Sequence, residues 1–378
     1  ECETGEGRAL YSCGFVLMCS GYYAYESAYT PHFEGAGDFA GPIVHPQFWS
    51  DQVDYAGKRV IVIGSGATAV TLVPALAERA EHVTMLQRSP SYVFSAPAES
   101  GLIKTLQERL SPATAYFIAR WLSVLANAGF YKLTRVWPEA MNRFMLDRVR
   151  EVLGPDFVAQ HFTPRYNVWD QRVCLIPDAD LFRALLSGRA SVVTASIERF
   201  TPRGIRLESG QELEADLIVT ATGIEMRMLG GAEVEVDGRR MEITEVLLYK
   251  GCLLSDVPNL AQFFGYTNAS WTLKADLTAS WLCRLLEHMD RNGLQRCIPR
   301  KVDPSITPQP MLPLSSGYVQ RADSRLPRQG SKFPYRVYQN YIVDLLTMRL
   351  AKIEDGTLEF GAGARAEDRA QPARHATL

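Results

Sequence analysis

The sequence predicts an α/β protein with two Rossmann-like dinucleotide-binding domains, one of them inserted into the other. A β-branched run, Lys58–Ile63, breaks into the turn Gly64-Ser65-Gly66 and then into a helical pattern. A second apolar run, His82–Gln87, follows that helix and completes a βαβ opening. Two further strands end in small-residue turns, at Ser20-Gly21 before the glycines and at Thr222-Gly223 long after them. The repeated turn predicts the inserted domain between them.

The glycine turn has the form GxGxxA, in which each small residue has a physical role. Gly64 permits the tight turn, Gly66 permits close approach of a pyrophosphate, and Ala69 lets the helix pack against the strand. The free N–H groups at the helix start then face an anion. A lone pattern of this kind also fits an ordinary turn, but the strand and helix around it favour a nucleotide. The predicted contacts are Gly64, Ser65, Gly66, Ala67 and Thr68.

The end of the second strand indicates which nucleotide binds. An acid about 20 residues past the glycines binds a free ribose 2′-hydroxyl, whereas an arginine accommodates a 2′-phosphate. This strand ends in Gln87-Arg88-Ser89, without a carboxylate. We therefore predict NADP rather than NAD, bound by Arg88 and Ser89 and, at the end of the return strand, by Thr222 and Gly223. For Arg88 alone, a solvated strand-end charge is the alternative.

Composition sets the limits of this interpretation. With 378 residues, 47% hydrophobic, and a net charge of −2, the chain can bury a large core, and nothing in it suggests nucleic-acid binding. The seven cysteines are odd in number and scattered, without a CxxC pair, so we predict neither a disulfide framework nor a metal site, and a cytoplasmic location is the default. The most apolar helical stretch, near 114–131, contains Arg120, and no transmembrane segment is expected.

Local patterns predict the remaining elements. Apolar residues recur at helical spacing over 101–160, and residues 191–222 are typical of short strands joined by turns. A long helix is expected from about Ser270 to Met289, with serine or asparagine as its cap. The tail from Gly361 is rich in alanine, arginine and charge, and we expect it to fray.

One segment before the glycine turn carries a resemblance to a known family. Phe39, Gly41, His45 and Trp49 have the spacing FxGxxxHxxxW. This spacing, followed by GxGxxA, resembles the fingerprint of Baeyer–Villiger monooxygenases, which are flavoproteins related to the flavin-containing monooxygenases. Residues 161–172 and 265–276 are similar to the branch that contains the ethionamide-activating enzyme. The resemblance covers nearly the whole chain.

The resemblance implies a domain organisation. No second GxGxxG followed by an acid is found in the sequence, and the family places that unit before the region where this chain begins. The FAD domain is therefore expected to be incomplete, with an N-terminal segment missing before Glu1. The implied domains are 1–55, the end of the FAD domain and the linker; 56–222, the NADP domain with a helical insertion at about 100–165; and 223–378, the C-terminal part of the FAD domain.

The resemblance also implies a reaction. NADPH reduces FAD, the reduced flavin takes up O2 as a C4a-peroxyflavin, and this species attacks a ketone to give an ester or a lactone. Sulfides and thioamides can be oxygenated in the same way. FAD and NADPH are thus the implied cofactors, and a small ketone or sulfur compound and O2 are the implied partners. The protein must mainly exclude water, hold NADP and stabilise a peroxide anion.

Arg172 aligns with the active-site arginine of the family. A guanidinium offers several donors to a developing oxyanion and stays charged. The alternative is an arginine that forms a salt bridge with Asp170 or Asp180. For His45 and Trp49 the resemblance implies that they transmit domain motion rather than transfer protons, and a satisfied linker histidine is the alternative.

The sequence departs from the family pattern at three places. Gln171 replaces a lysine that often grips the 2′-phosphate, so that selectivity depends more on Arg88. Ser50 follows the fingerprint tryptophan where proline or aspartate is usual. A mobile loop that often presents a tryptophan to the nicotinamide is expected at Ser316-Gly317-Tyr318.

Three functions stay open at this point. The first is an NADPH- and FAD-dependent Baeyer–Villiger monooxygenase. The second is a flavin monooxygenase that oxygenates mainly sulfur or nitrogen. The third is a nucleotide-binding fragment without catalysis, suggested by the absent FAD turn. The sequence predicts no oligomeric state.

Overall fold

The computed structural model describes residues 1–5 and 7–362, which divide into two compact units. The glycine-turn unit comprises Ala24–Met226 and Pro313–Arg321. The flanking unit comprises Glu1–Tyr23, Arg227–Leu312 and, within the described residues, 322–362. The tail that we expect to fray begins at Gly361; the expectation is wrong for Gly361 and Ala362, which end a paired strand, and the tail beyond Ala362 lies outside the described residues.

The strands of the described chain are β1 (Cys2–Thr4), β2 (Gly7–Ala9), β3 (Val16–Met18), β4 (Tyr23–Ala28), β5 (Ile43–Val44), β6 (Arg59–Ile63), β7 (His82–Gln87), β8 (Val93–Ala96), β9 (Cys174–Pro177), β10 (Ala190–Thr194), β11 (Ile197–Thr201), β12 (Gly204–Leu207), β13 (Glu212–Glu214), β14 (Leu217–Thr220), β15 (Ile224–Met226), β16 (Glu235–Val236), β17 (Arg239–Arg240), β18 (Leu248–Tyr249), β19 (Leu253–Leu254), β20 (Leu260–Gln262), β21 (Leu294–Pro299), β22 (Pro308–Pro310), β23 (Arg328–Gly330) and β24 (Leu358–Ala362).

The α-helices of the described chain are α1 (Ala67–Ala77), α2 (Gly101–Arg109), α3 (Pro112–Val136), α4 (Pro138–Leu153), α5 (Pro155–His161), α6 (Asp180–Leu186), α7 (Trp271–Arg291), α8 (Gly317–Ala322) and α9 (Tyr341–Asp344). A π-helical turn, Leu345–Leu350, follows α9.

A five-stranded parallel sheet forms the centre of the glycine-turn unit, in the order β10-β7-β6-β14-β5. Its inner strands are nearly continuous apolar runs, as expected for a parallel sheet covered on both faces. Helix α1 packs Val70, Val73 and Leu76 into the core beside this sheet. The predicted strand, turn, helix and strand are confirmed, together with the α/β fold class.

The helical pattern over 101–160 is confirmed as α2 to α5. Each of the first two helices begins with a serine cap: the hydroxyl of Ser100 accepts from Ile103 N, and that of Ser111 accepts from Thr114 N. Pro112, Pro138 and Pro155 occupy first-turn positions, where the missing N–H costs nothing. In the described part of the chain, none of the helices has the length and apolar character to cross a bilayer.

The short strands predicted over 191–222 are also confirmed. Strands β11, β12 and β13 form an antiparallel sheet, and β10 and β14 belong to the parallel one. Only glycine fits at position 204, because a Cβ there would lie 1.9 Å from the carbonyl oxygen of Leu213. A turn of this kind can be recognised in the sequence, because glycine is the residue that fits it.

The flanking unit contains a four-stranded sheet in the order β18-β19-β20-β3, in which β3 and β20 are parallel. The predicted long helix is confirmed as α7. Ser270 stands at its N-cap, but its hydroxyl bonds to Thr272 Oγ1 at 2.8 Å and does not cap the backbone. Helix α7 buries Lys274 against Asp344, with 2.9 Å between the charged atoms.

Candidate functional site

The carboxyl ends of four neighbouring strands meet at one edge of the parallel sheet. Gly64 follows β6, Arg88 follows β7, Thr222 and Gly223 follow β14, and His45 follows β5. These strands are adjacent and point the same way, so the segments after them lie side by side. In open α/β sheets, ligands bind at this edge. The structure therefore brings together residues that the sequence separates by more than a hundred positions.

Gly64 makes the tight turn that the sequence predicts. Its φ is +137°, and a Cβ there would lie 2.4 Å from the carbonyl oxygen of Ala221. Its N–H donates to the carbonyl of Leu86 at 2.8 Å, which ties the turn to the end of β7. The residue at this position must be glycine on both steric and conformational grounds.

The first turn of α1 is open to a ligand. Gly66 is its N-cap and contributes no side-chain cap, and Gly66, Ala67 and Thr68 are exposed. A Cβ at Gly66 would meet no atom of the described residues within 4 Å. The first N–H groups of a helix have no intrahelical partner, and the N-cap Gly66 supplies no side-chain bond to them. The turn therefore fits a pyrophosphate, which would take the place that a capping side chain fills elsewhere.

The end of β7 presents a cation beside this turn. Arg88 and Ser89 are both exposed. The hydroxyl of Ser65 donates to the carbonyl of Ser89 at 2.8 Å, which joins the glycine turn to the strand end. A guanidinium without a neighbouring carboxylate at this position suits a 2′-phosphate.

Gln87, directly before Arg88, is anchored from inside the unit. It is 2% exposed, and its amide nitrogen donates to the carbonyl of His161 at 2.7 Å and to Thr194 Oγ1 at 2.9 Å. The Thr194 hydroxyl lies 2.8 Å from His161 Nδ1. Burial lowers the pKa of His161, so the ring is neutral near pH 7. Sequence reasoning missed this network; its one signal was a glutamine at the end of a buried strand.

His45 is held at the same sheet edge by two hydrogen bonds. Its Nδ1 accepts from the N–H of Gln47 at 3.2 Å, so the proton is on Nε2, which donates to the carbonyl of Gly223 at 3.0 Å. Burial lowers the pKa of His45, and the bond to Gly223 partly opposes that effect. The Thr222 hydroxyl donates to the carbonyl of Tyr29 at 2.8 Å. The bond from His45 to Gly223 ties the fingerprint segment to the residues that follow β14.

The other fingerprint residues pack rather than point at the edge. Phe39 is buried in the cluster that contains Phe200. A Cβ at Gly41 would lie 2.6 Å from the carbonyl oxygen of Asp216 and 2.8 Å from the Phe39 ring. Trp49 packs against the core beside the ring of Tyr55, with 5.9 Å between the ring centres. Phe39, Gly41 and Trp49 thus hold the segment around β5 by packing.

Arg172 lies two residues before β9, whose first residue contacts the glycine turn. Cys174 Sγ lies 3.9 Å from the carbonyl oxygen of Ser65. Arg172 is partly buried, and its Nε has no hydrogen-bond partner among the described residues. Asp170 forms its salt bridge with Arg135, at 3.0 Å. The carboxylate of Asp180 accepts from the N–H of Leu181 in its own helix.

Ser315, which sequence reasoning also missed, ties the predicted mobile loop to this segment. Its N–H and its hydroxyl donate to the carbonyl of Asp170, at 2.9 and 3.0 Å. Ser316 beyond it is buried, and α8 begins at Gly317. The loop therefore lies against the segment that leads to Arg172.

A parallel sheet with an open glycine turn and a strand-end arginine defines a dinucleotide-binding protein. The chain is 48% identical over 351 residues to the FAD-containing monooxygenase EthA of Mycobacterium tuberculosis, covering 92% of this chain and 72% of that protein. It is 48% identical over 367 residues to the putative FAD-containing monooxygenase MymA of the same organism, covering 96% and 74%. The probable FAD-binding monooxygenase AlmA of Acinetobacter baylyi is 41% identical over 360 residues, covering 95% and 72%.

Solved structures show the same fold. A crystal structure of OTEMO with FAD and NADP has a TM-score of 0.64 at 18% identity, covering 92% of this chain and 76% of that one. The open structure of cyclohexanone monooxygenase has a TM-score of 0.60 at 18% identity, covering 92% and 74%. In a second crystal form of OTEMO, the matched part of this chain spans 63% of that structure. The model of the family described as flavin-binding monooxygenase-like matches residues 3–288, and the chain belongs to that family.

Proposed function

We propose that this chain is part of an enzyme that uses NADPH, FAD and O2 to insert one oxygen atom into a ketone, giving an ester or a lactone. The observation that carries the proposal is the open glycine turn beside Arg88, at a sheet edge that the fingerprint residue His45 also reaches. Residues 1–55 would then be the end of the FAD domain and the linker, residues 56–222 the NADP domain with its helical insertion, and residues 223–378 the C-terminal part of the FAD domain.

NADPH would bind at the sheet edge of the glycine-turn unit. The N–H groups after Gly64 would hold the pyrophosphate, because the N-cap Gly66 has no side chain to cap them. Arg88 and Ser89 would hold the 2′-phosphate, because both are exposed at the strand end. His45 would fix the geometry of this edge as a neutral donor to Gly223, not as an acid or a base.

FAD, when bound, supplies the reduction of O2 and the transfer of one oxygen atom to the substrate. The relatives EthA and MymA are named FAD-containing monooxygenases. In the flanking unit, Gln262 ends the strand that pairs with β3, and both of its amide atoms are buried without a partner among the described residues. Such a side chain fits a unit that holds a polar cofactor, because an unpaired buried amide is costly.

Arg172 would stabilise the negative charge that develops during oxygen transfer. Its Nε is a donor without a partner among the described residues, and a guanidinium offers several donors to a developing oxyanion. Arg135 neutralises Asp170, so this carboxylate does not compete for the Arg172 guanidinium. A ketone is the favoured substrate class because a related fold belongs to cyclohexanone monooxygenase, whose name states a ketone.

The test measures NADPH oxidation and product formation with FAD, using cyclohexanone and, separately, a thioether. We expect ketone-dependent NADPH oxidation and lactone formation, with about 100-fold less product in Arg172→Ala. Arg165→Ala, which removes an exposed arginine from the same segment, is the matched control and should retain activity. Formation of sulfoxide without lactone would show that the substrate class is a sulfur compound rather than a ketone. Binding of NADPH without uptake of FAD would support a non-catalytic fragment.

A further inference from the structure

One side chain joins the two halves of the nucleotide site. Ser65 lies inside the glycine turn after β6, and its hydroxyl donates to the carbonyl of Ser89 after β7, at 2.8 Å. Ser91 Oγ lies 3.0 Å from the same hydroxyl. A serine hydroxyl has a single proton, which Ser65 gives to Ser89, so Ser91 is the donor in the second bond. The two bonds connect the turn to Ser89 and Ser91 of the Arg88 loop, residues 88–92, which joins β7 to β8.

That loop is fixed on one side and open on the other. On the inner side, the buried side-chain amide of Gln87 is held by His161 and Thr194. The backbone carbonyl of Gln87 accepts from Ala195 N at 3.0 Å. Immediately after Gln87, Arg88 and Ser89 become exposed. The bond from Ser65 therefore fixes the backbone directly beyond the arginine that faces the solvent.

The glycine turn and Arg88 would bind different parts of one ligand. The turn suits a pyrophosphate and the arginine a 2′-phosphate, so the distance between the two segments must match the distance between those groups. A site that is already in the bound geometry loses less conformational entropy on binding. A bond between the two segments sets that distance before the ligand arrives.

We propose that Ser65 is a positioning residue for selectivity between NADP and NAD, because its hydroxyl holds the Arg88 loop at the separation that a 2′-phosphate requires. The inference rests on the proposed function, since it assumes that NADP binds at this edge. Removing the hydroxyl leaves the backbone N–H groups of the turn in place. The backbone contacts to the part that both nucleotides share therefore remain, and the advantage of the 2′-phosphate falls more than the shared affinity.

The experiment compares the dissociation constants of NADP+ and NAD+ by titration calorimetry with the full chain. These ligands differ only in the 2′-phosphate. In Ser65→Ala, we expect the ratio of the NAD+ constant to the NADP+ constant to fall about 3- to 10-fold, as for one hydrogen bond, because the NADP+ constant rises more than the NAD+ constant. Ser65→Thr keeps a hydroxyl and should restore the ratio. Thr71→Val is the matched control, because the Thr71 hydroxyl bonds to the carbonyl of Ala67 in its own helix at 2.8 Å.

The outcomes separate this inference from the proposed function. A wild-type chain without preference for NADP+ would overturn both. A wild-type preference that Ser65→Ala retains, or an equal loss for both nucleotides, would overturn the role of Ser65 alone. Should Ser65→Ala fail to fold, Ser91→Ala decides the question, since it removes the second bond of the link. A smaller fall of the ratio supports the inference, and an unchanged ratio contradicts it.

Discussion

The glycine turn and the fingerprint segment reach the same sheet edge with opposite properties. The turn is exposed and uncapped, and Gly66 has no neighbouring atom within 4 Å of a would-be Cβ among the described residues. In the fingerprint segment Phe39 and Gly41 are packed, and both ring nitrogens of His45 are hydrogen-bonded. One segment has open polar groups for a ligand, and the other has used its groups in packing and in a hydrogen bond to the end of β14. A specific sequence pattern therefore need not mark a ligand contact.

Gly64→Ala should have the largest effect, because Gly64 belongs to the ligand-binding turn and is also closely packed. A Cβ at this position meets the carbonyl oxygen of Ala221 at 2.4 Å, and its φ of +137° is rare for alanine. We expect a loss of about 3 kcal/mol in the free energy of unfolding, measured by urea titration, and loss of nucleotide binding. An alanine variant of wild-type stability would show that the turn relaxes freely.

Gly66→Ala and Gly41→Ala should separate binding from packing. A Cβ at Gly66 projects into open space, so we expect unchanged stability and about 10-fold weaker NADPH binding, as the added methyl group obstructs the pyrophosphate. A Cβ at Gly41 meets the Asp216 carbonyl oxygen and the Phe39 ring, so we expect a loss of about 1 to 3 kcal/mol in stability. Binding by the folded Gly41→Ala variant should be retained. The check is to measure the free energy of unfolding and the NADPH dissociation constant of both variants. The same change in both variants would contradict the separation of binding from packing.

The smallest expected effect concerns pH. The folded-state pKa of His45 lies below the unfolded value of 6.5, because burial disfavours the charged ring. The unfolded state therefore binds the proton first, and the stability due to neutral His45 is present above pH 6.5 and lost as the pH falls toward the folded pKa. A charged ring would also turn an Nδ1 proton toward the N–H of Gln47.

The check compares His45→Gln with the wild type by urea unfolding at several pH values. Glutamine keeps a donor for the Gly223 carbonyl but does not titrate, so we expect its stability to fall less between pH 7.5 and 5.5. The pKa of His161 is lowered in the same direction, and His161 remains in both proteins, so the difference between them reports His45 alone. Parallel curves would show that His45 does not contribute.

The elements that the sequence predicted correctly are those whose residue patterns are local. The strand before Gly64, helix α1 and the strand that ends at Gln87 were predicted because side-chain period and glycine conformation depend on nearby residues. Arg88 was located because a strand end follows from the same local pattern. The roles of Arg172, Thr222 and His45 in binding or catalysis stay predictions, although the structure now shows their contacts.

The sequence alone determined the fold class, the glycine turn and the family, because these depend on residue type and spacing along the chain. The tertiary structure decided which groups are already paired. Asp170 binds Arg135 rather than Arg172, Gln87 binds residues 74 and 107 positions away, and Ser65 reaches across to Ser89. Hydrogen-bond partners between distant segments are set by how the strands align in the sheet, and no local pattern encodes that alignment.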